Sequence, residues 1–443
     1  MVDAPMTATQ ADRAHALAGW RDRLHAALLY AFLFYVLIGA QPFADPSAAQ
    51  RVEGNVVDRF GVLALFGLAL IVLWTNRRAI PGMILPGLGL ATIVGICLAS
   101  LLWSDFPALT ARRSLLLFFL TTIAFACAAG LPSLRRLHTA MFVACAVVIA
   151  LNLVGTALLP GIAITELGVR GMYSQKNVAG IASMVAVIVT VTWMLGARRG
   201  RDVAIGLAAL MPALLFLMLT RSKTSIALTA LALAVVAAFA LSERLGARFV
   251  LLLVGVGLLG LVGVLVLFAA YDFDLAQFSA LFTGDASFTG RDELWAFALG
   301  AAQERPWLGH GYGAFWDVGA DNDPLNRLDP GTWLGDVEVG TINQAHNGYL
   351  ELWLHIGLPA TALASLVVVG HLLRGTRWAV SALPRPERAA AGAFGLILLI
   401  YLLHNLTEAT LFVRGIPFCN IAILCMAGLT RARSFAIAKT PVG

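Results

Sequence analysis

Long hydrophobic runs alternate with short polar segments along most of this chain. A helix that crosses the hydrocarbon core of a bilayer needs about 20 mainly apolar residues in succession. Twelve runs come close to this length, and they predict an all-α integral membrane protein with about 12 transmembrane helices. The predicted helices lie near 24–40, 57–74, 84–102, 114–129, 137–159, 178–196, 203–219, 225–241, 249–270, 348–373, 389–403 and 411–429.

The composition supports a membrane protein. Hydrophobic residues make up 59% of the chain and charged residues 13%, and the mean hydropathy is +0.83. No soluble globular domain has this balance. All five cysteines fall inside predicted helices without the spacing of metal ligands, so we expect them to be small buried hydrophobic residues.

The basic residues predict the orientation of the chain, because lysine and arginine accumulate in cytoplasmic loops. With the N-terminus inside, most of the 31 Lys and Arg residues fall in cytoplasmic segments. Both termini are therefore predicted to be cytoplasmic. The first apolar run is too long for the core of a signal peptide, and we expect it to be retained. The net charge of +6 follows from the same bias and gives no support to a nucleic-acid partner.

One long hydrophilic segment, near 271–345, separates the ninth and tenth predicted helices on the outer side. It contains Trp295, Trp307, Trp316 and Trp333 and a helical pattern over 292–303, which predicts an ordered loop with short helices. The chain thus divides into three predicted parts. Helices one to nine occupy 1–270, the loop occupies 271–347, and helices ten to twelve with a cytoplasmic tail occupy 348–443.

Four clusters of basic, amide and imidazole side chains lie where a hydrophobic run begins or resumes. Three are expected in the first turns of helices six, eight and ten at the outer surface, and the fourth opens the loop helix. Free N–H groups and the dipole at a helix N-terminus favour anions. The four clusters therefore predict one outward-facing anion site with a base beside it. They are Arg170 with Lys176 and Asn177, Arg221 with Lys223, Arg291, and His346 with Asn347.

Cations at helix ends can also be interfacial anchors whose charged heads reach the aqueous surface. This interpretation is weak for the pair at 221 and 223, because their segment nearly fuses two hydrophobic runs. A cation at full membrane depth can cost ~2.5–3.5 kcal/mol, so a polar cavity is expected there. The anchor interpretation is preferred for four other arginines, Arg51, Arg59, Arg112 and Arg113.

Three other histidines compete with His346 for the role of base. His355 lies nine residues further on, about 180° round a helix, and is predicted to be a core or interhelical residue. His310 lies in a glycine-rich turn, where a structural role and a substrate contact are both open. His404, near Glu408, is a minor candidate.

Metal and cofactor signals are weak. Asp272 and Asp274 have the spacing that many metal-dependent sugar transferases use, but one such pair in an acidic loop is expected by chance. No phosphate-binding glycine loop or nucleotide fingerprint stands out, so neither ATP-driven chemistry nor any other cofactor is predicted.

The basic and histidine blocks resemble those of the O-antigen ligase and O-antigen polymerase superfamily of bacterial membrane glycosyltransferases. The most specific likeness is His346-Asn347, nine further residues and then the tetrad 357–360, which is similar to the superfamily's His-Asn/Ser/Gln, nine residues, Gly-x-x-Gly signature. Ala360 stands where the superfamily has its final glycine. The other blocks follow in the superfamily's usual order, at 171–177, 220–224 and 289–295.

The resemblance implies a GT-C-like glycosyltransferase of the bacterial inner membrane with a periplasmic active site. Such enzymes take a glycan from undecaprenyl diphosphate and pass it to an acceptor hydroxyl, which for an O-antigen ligase belongs to lipid A-core. The implied mechanism is inverting and metal-independent: fixed cations hold the diphosphate, and His346 accepts the proton of the attacking hydroxyl. The residues expected to be catalytic are His346, Arg221 and Arg291, and those expected to bind substrate are Arg170, Lys176, Asn177, Lys223, Asn347 and Tyr349.

Other functions are open at this point. A polymerase that extends a lipid-linked O-antigen or exopolysaccharide, and a protein O-oligosaccharyltransferase, belong to the same superfamily. A twelve-helix transporter or flippase also fits the hydropathy, but two similar halves and polar residues near the bilayer midplane would be expected of it. Here the polar clusters gather at one surface, which favours the glycosyltransferase.

Overall fold

The structure is a computed structural model that describes residues 8–39, 41–44, 48–246 and 291–437. The ninth predicted helix, near 249–270, lies outside these ranges. Asp272, Asp274 and Thr289 lie outside them as well.

The described chain is helical apart from loops and one short hairpin. The hairpin pairs β1 (Ile164–Thr165) with β2 (Gly168–Val169) in antiparallel register. In chain order the α-helices are α1 (Ala8–Ile38), α2 (Ala48–Glu53), α3 (Val56–Thr75), α4 (Pro81–Ala99), α5 (Pro107–Ala129), α6 (Leu134–Leu158), α7 (Pro160–Ala163), α8 (Lys176–Leu195), α9 (Gly200–Thr220), α10 (Lys223–Leu245), α11 (Arg291–Glu304), α12 (Gly348–Ile356), α13 (Leu358–Ala379), α14 (Arg385–His404) and α15 (Pro417–Ile437).

Nine helical segments of the described chain are long and apolar enough to cross a membrane. They correspond to the predicted helices two to eight, ten and eleven. The first predicted run lies within α1, and α15 contains a shorter apolar segment. The predicted all-α membrane class is therefore confirmed. The nine segments are Arg51–Thr75, Pro81–Leu102, Pro107–Ala129, Leu134–Leu158, Lys176–Leu195, Gly200–Thr220, Lys223–Leu241, Leu358–Ala379 and Arg385–His404.

Helix α8 lies at the centre of the bundle. Over its membrane-spanning window 78% of the residues are buried, against 17% for α10. Small residues near its start, such as Ala179 and Gly180, let other helices approach closely, as is usual between transmembrane helices. A Cβ at Gly180 would lie 2.6 Å from the Cβ of Ser222. The glycine thus allows the turn between α9 and α10 to lie against the start of α8.

The tenth predicted helix, 348–373, is wrong as a single span, because the chain breaks at Gly357. This residue has a φ of 81°, and a Cβ there would overlap the carbonyl oxygen of Trp307. The next residue, Leu358, donates its N–H to the carbonyl of Pro306 at 2.8 Å. The long loop therefore inserts its backbone between the short helix α12 and the spanning helix α13.

The twelfth predicted helix, 411–429, begins later than expected, at Pro417. The preceding segment, 405–416, is a folded loop between α14 and α15 that we call the α14–α15 loop. Phe412 in it has a left-handed backbone with φ of 52°. The hydroxyl of Tyr401 donates to the carbonyl of Thr410 at 2.8 Å, and the hydroxyl of Tyr312 donates to the carbonyl of Phe412 at 2.6 Å. These tyrosines replace the hydrogen bonds that a helix would have supplied.

The described part of the long loop is ordered, as predicted, and its helix α11 matches the expected 292–303 closely. It has a small hydrophobic core of its own, formed by Leu294, Ala298, Trp316 and other residues together with Leu354 of α12. Trp316 is 3% exposed, whereas Trp307 is 73% exposed, so the tryptophans do not all pack inside the loop.

Of the four arginines interpreted as interfacial anchors, the interpretation is wrong for Arg113, which is buried, and the other three also make defined bonds. Arg113 is 3% exposed and donates to the carbonyls of Gly313, Trp316 and Asp317. Arg51 pairs with the carboxylate of Asp317 at 3.0 Å. Arg59 and Arg112 donate to backbone carbonyls at the end of α2. Two of these arginines therefore fasten the long loop to the bundle.

Candidate active site at one end of the helix bundle

The carboxylate of Glu408, in the α14–α15 loop, lies at the centre of the site and is 7% exposed. Its Oε1 accepts a hydrogen bond of 3.1 Å from Nδ2 of Asn177 and lies 3.6 Å from Nη2 of Arg291. Its Oε2 lies 3.3 Å from Nδ1 of His346. Three residues predicted from three separate motifs thus meet on one glutamate. We call Asn177, Arg291, His346 and Glu408 the Glu408 cluster.

The turn between α9 and α10 places two cations beside the Glu408 cluster. Ser222 donates its hydroxyl to the amide oxygen of Asn177 at 3.2 Å, which fixes the turn against the cluster. Arg221 is the C-cap of α9, with φ of 51°, and Lys223 begins α10. Both side chains are exposed, and neither has a hydrogen bond or ion pair with any part of the chain that the structure describes.

The expectation that Arg221 lies in the first turn of the eighth helix is therefore wrong, since it closes the helix before. The carbonyl end of a helix favours a cation, so this position suits an arginine. A left-handed backbone in a non-glycine residue is uncommon and needs support from its surroundings. Here the β-hairpin supplies it, because Gly168 lies directly against the backbone of Thr220 and leaves no room for a side chain.

The sequence predicts His346 in the first turn of the tenth helix, but the residue lies just before α12. Its backbone is left-handed, with φ of 50°. The preceding residue, Ala345, is fixed on both sides: its N–H donates to Oε2 of Glu351 at 2.7 Å, and its carbonyl accepts from Nε1 of Trp295 at 2.9 Å. The imidazole is 30% exposed, so it touches Glu408 and is still open to a substrate.

Asn347 caps the N-terminus of α12. Its side-chain oxygen accepts from the N–H groups of Tyr349 at 3.0 Å and Leu350 at 3.1 Å. Asparagine is among the preferred residues for this position because its oxygen satisfies otherwise unpaired N–H groups. Its amide nitrogen donates to the carbonyl of Leu406 at 3.4 Å. Asn347 therefore orients the helix that follows the histidine.

Arg291 begins α11 and reaches the same loop as Glu408. Its Nη1 donates to the carbonyl of Thr407 at 2.9 Å, while Nη2 approaches the Glu408 carboxylate. The arginine is partly exposed, at 29%. It ties the long loop to the α14–α15 loop.

Two other predicted cations hold the hairpin segment instead of projecting freely. Arg170 donates to the carbonyls of Ile162 at 2.8 Å and Ser174 at 3.2 Å. Lys176 donates to the carbonyl of Leu167 at 3.1 Å. Both stay near the start of α8, but their donors are partly used by the backbone. Arg221 and Lys223 are thus the better placed of the predicted cations to receive an anion.

Tyr349, expected to be a sugar-stacking or packing surface, joins two helices. Its hydroxyl donates to the carbonyl of Leu402 in α14 at 2.9 Å. The ring is partly buried. This geometry favours the packing role.

The three competing histidines are buried. His355 is 3% exposed and lies 3.3 Å from Oε1 of Glu351, which confirms the prediction of a core residue. His310 is 5% exposed and its Nε2 bonds the carbonyl of Ala301, and burial lowers its pKa. His404 is 1% exposed and packs edge-on against Phe418. Among the histidines with described side chains, His346 alone joins exposure to an acidic partner at this end of the bundle.

Charge keeps Glu408 ionised despite its burial. Burial by itself raises the pKa of this carboxyl, but the hydrogen bond from His346, together with the nearby His404 and Arg291, outweighs it. The net result is a pKa below the ordinary value of 4.5. The pair therefore consists of a carboxylate and an imidazole that donates to it.

This arrangement can act as a base. With its Nδ1 proton donated to Glu408, His346 carries a lone pair on Nε2, which bonds to no described residue of the protein. A carboxylate behind an imidazole fixes its tautomer and stabilises the imidazolium that forms when the ring takes a proton. The cations of Arg221, Lys223 and Arg291 lie at the same end of the bundle.

No metal site is apparent among the described residues, where no three His, Cys, Asp or Glu side chains come together. Asp272 and Asp274 lie outside the described ranges, so the weak metal signal at this pair stays untested.

Glu408 is the residue of the candidate site that the sequence prediction missed, since the sequence indicates it only as a neighbour of His404. A signal was present: between 389 and 437 it is the only acidic residue in an otherwise hydrophobic region. An ionisable residue beside membrane-spanning helices is expensive to place and is usually functional. Its partners could not be identified, because Asn177 and Glu408 are 231 positions apart.

Comparison with known families gives one match. Residues 207–365 match the sequence model of a family described as O-Antigen ligase. The match includes Arg221, Lys223, Arg291 and His346, and it stops before Glu408. The resemblance drawn from the motifs is therefore confirmed over this stretch. No curated protein matches the chain.

Proposed function

Because the chain carries an O-antigen ligase domain, we propose that it is an O-antigen ligase that transfers a glycan from undecaprenyl diphosphate to a sugar hydroxyl of lipid A-core. The observation that carries the proposal is the contact between His346 and the buried carboxylate of Glu408, with Arg221, Lys223 and Arg291 at the same end of the bundle. A base beside a set of cations is what this transfer requires.

In the proposed reaction the acceptor hydroxyl gives its proton to Nε2 of His346 as its oxygen attacks the anomeric carbon. The bond from that carbon to the diphosphate oxygen breaks, and the electron pair leaves with the diphosphate. Glu408 stabilises the imidazolium throughout. The attack comes from the face opposite the leaving group, so the anomeric configuration inverts.

The cations stabilise the charge that develops on the departing diphosphate. Arg221 and Lys223 suit this role because they are exposed and have no partner in the described chain. A guanidinium can bond two phosphate oxygens at once, and an ammonium adds a mobile point charge. Removing one such donor from an active site typically costs about 10²- to 10³-fold in kcat. Arg170 and Lys176 support this site by holding the hairpin against Arg221.

The proposed location is the bacterial inner membrane, with the Glu408 cluster at the periplasmic face and both termini in the cytoplasm. Two facts support it. Basic residues accumulate in the connections at the other end of the bundle, such as 196–201 and 374–388. The residues of the cluster come from helix ends and loops that all meet at one end.

The proposal is tested with purified protein in liposomes and a lipid-diphosphate-linked glycan as donor. Lipid A-core is offered in one reaction and a second lipid-linked repeat unit in another, with no ion gradient. A ligase is expected to glycosylate lipid A-core and to release undecaprenyl diphosphate. Extension of the lipid-linked repeat instead would identify a polymerase, and movement of the donor across the bilayer without any new glycosidic bond would identify a flippase.

A further inference from the structure

A cavity adjoins the Glu408 cluster. It has a volume of about 480 Å³. It is bounded by the last turn of α1, the first turns of α8 and α15, part of α5 and the long loop. Residues two positions before Asn177 and His346, namely Gln175 and Gln344, line it, and so does Ala409 beside Glu408. We call it the Arg414 cavity. Another cavity, of about 500 Å³, lies at the opposite end of the bundle among the connections near Arg135 and Arg198.

Three arginines face the Arg414 cavity, and two of them are already engaged. Arg51 pairs with Asp317, and Arg113 donates to three carbonyls of the loop. The third, Arg414, is partly exposed, and its guanidinium has no hydrogen bond or ion pair with any residue in the described ranges. Only its backbone is held, by an N–H bond of 3.2 Å to the hydroxyl of Tyr312.

Both acids that line the cavity are engaged with other groups. Asp317 is bound to Arg51 at 3.0 Å. Glu351 accepts from Nε1 of Trp316 at 3.0 Å and from the N–H of Ala345 at 2.7 Å, and it contacts His355 at 3.3 Å. Burial lowers the pKa of Arg414, although the nearby Tyr312, Asp317 and Glu351 act in the opposite direction. The lining thus has one spare positive charge.

The α14–α15 loop connects this cation to the proposed chemistry. It supplies Glu408 to the cluster and Arg414 to the cavity, six residues further along. The hydroxyls of Tyr312 and Tyr401 fix the segment between them. An anion bound to Arg414 would therefore lie at a set position relative to the imidazole of His346.

We propose that the Arg414 cavity binds an anionic group of the acceptor saccharide, a phosphate or a sugar carboxylate, and so selects acceptors that carry one. This inference rests on the proposed function. In an inverting transfer the acceptor and the leaving diphosphate occupy opposite sides of the anomeric carbon, so the two substrates need separate anion sites. Arg221 and Lys223 serve the diphosphate and do not line the Arg414 cavity, whereas Arg414 lines that cavity and takes no part in the Glu408 cluster.

The test compares Arg414→Gln with Arg59→Gln, an exposed arginine that does not line the cavity. Initial rates are measured in liposomes while donor and acceptor concentrations are varied separately. Lipid A-core is used both with its core phosphates and after enzymatic dephosphorylation. Wild-type protein is expected to prefer the phosphorylated acceptor. A charged hydrogen bond contributes roughly 1.5–3 kcal/mol, so Arg414→Gln should raise the acceptor KM about 10- to 150-fold and abolish the preference.

The donor KM of Arg414→Gln is expected to stay within about twofold of wild type, and Arg59→Gln should match wild type in both constants. A rise in the donor KM alone would mean that the cavity holds the lipid diphosphate, and an unchanged acceptor KM would mean that it holds no substrate anion. Either result overturns the inference. If wild-type protein transfers no glycan to any acceptor, the proposed function has failed instead.

Inorganic phosphate gives a readout that does not depend on how well the variant folds. In wild-type protein it is expected to compete with the phosphorylated acceptor more strongly than with the dephosphorylated one. Competition with the donor alone would contradict the assignment. Arg414→Lys keeps the charge and is expected to retain part of the acceptor preference.

Discussion

At the scale of single residues, the site depends on the groups that stabilise the buried carboxylate of Glu408 in its ionised form. Glu408 can remain ionised because an amide, a guanidinium and an imidazole surround it. Of these partners, His346 is the one with a ring nitrogen left over for a proton. The contact between His346 and Glu408 therefore has two effects. It stabilises a buried carboxylate, and it fixes the tautomer of the imidazole that can act as a base.

Replacing His346 with alanine is expected to lower the rate of glycan transfer by about 10²- to 10⁴-fold, because the proton of the acceptor hydroxyl loses its base. The measurement is product formation by reconstituted protein. His371→Ala is the matched control, since this histidine lies within the membrane-spanning part of α13. Near-normal transfer by His346→Ala, at normal yield of folded protein, would remove His346 from the mechanism.

The ionisation of Glu408 predicts a pH dependence of stability. Its pKa in the folded protein lies below 4.5, so the stability it contributes is present above that value and is lost as the pH falls through the lowered folded pKa. Glu408→Gln should therefore melt at a lower temperature than wild type at pH 7, and the gap should narrow below pH 4.5. Thermal unfolding in detergent measures this. A gap that is constant with pH would show that the ionised form contributes nothing.

At the scale of elements, the site is assembled by interruptions of helices. The break at Gly357 separates α12 from the spanning helix, the α9–α10 turn presents Arg221, and the α14–α15 loop presents Glu408. Non-helical backbone beside a membrane is tolerated where the protein satisfies its polar groups. Here tyrosine hydroxyls and loop carbonyls do so.

Gly357→Ala is expected to destabilise the protein and to lower activity with it. The residue has a φ of 81°, which costs a non-glycine residue roughly 1–3 kcal/mol, and the added methyl meets the backbone of Trp307. Gly370→Ala is the control, because this glycine lies inside α13 with open space around it. It should be neutral or slightly stabilising. Equal melting temperatures for the two variants would contradict the importance of the break.

Asn347 allows capping to be separated from substrate binding. Asn347→Ala is expected to lower stability by about 0.5–2 kcal/mol, the usual cost of losing an N-cap. Asn347→Ser keeps a capping oxygen and should recover most of the stability and of the transfer rate. Chemical denaturation and the liposome assay provide the two readouts. A serine variant that is stable and inactive would point to a direct substrate contact instead.

At the scale of the whole molecule, every residue assigned to the site lies at one end of the bundle. The long loop is fastened to that end by the Arg51–Asp317 pair and by the bonds of Arg113 and Arg291. This arrangement gives both proposed anion sites, at Arg221 and at Arg414, access from the same side of the membrane.

Sidedness is tested by labelling single cysteines in intact cells with a membrane-impermeant thiol reagent. Asp321→Cys, exposed in the long loop, should be labelled from the periplasm, whereas Arg198→Cys, exposed between α8 and α9, should not. Background labelling should be low, because the five native cysteines are all buried. Labelling of Arg198→Cys alone would invert the proposed topology.

The spans could be predicted because hydrophobic length is a local property of the chain. The predicted run near 178–196 corresponds to α8, and the run near 203–219 to α9. The predicted helix near 348–373 failed because the cause of its break is not local: Gly357 must leave room for Trp307, 50 positions earlier. Likewise, the motifs identified Arg291 and His346 as site residues, but they gave no means of telling that Lys176 would be occupied by a backbone carbonyl.

By itself the sequence determined the all-α membrane class, most of the spans, and the residue types at the site. Apolar runs and short motifs consist of residues that are close together in the sequence. Only the tertiary structure decided that Glu408 would join Asn177, Arg291 and His346, and that Arg414 would face a cavity with its guanidinium unpaired among the described residues. The physical reason is that the interactions of a charged side chain, and whether it can bind a ligand, depend on the groups that surround it. Those surroundings come from helices far apart along the chain, and they exist only once the bundle has packed.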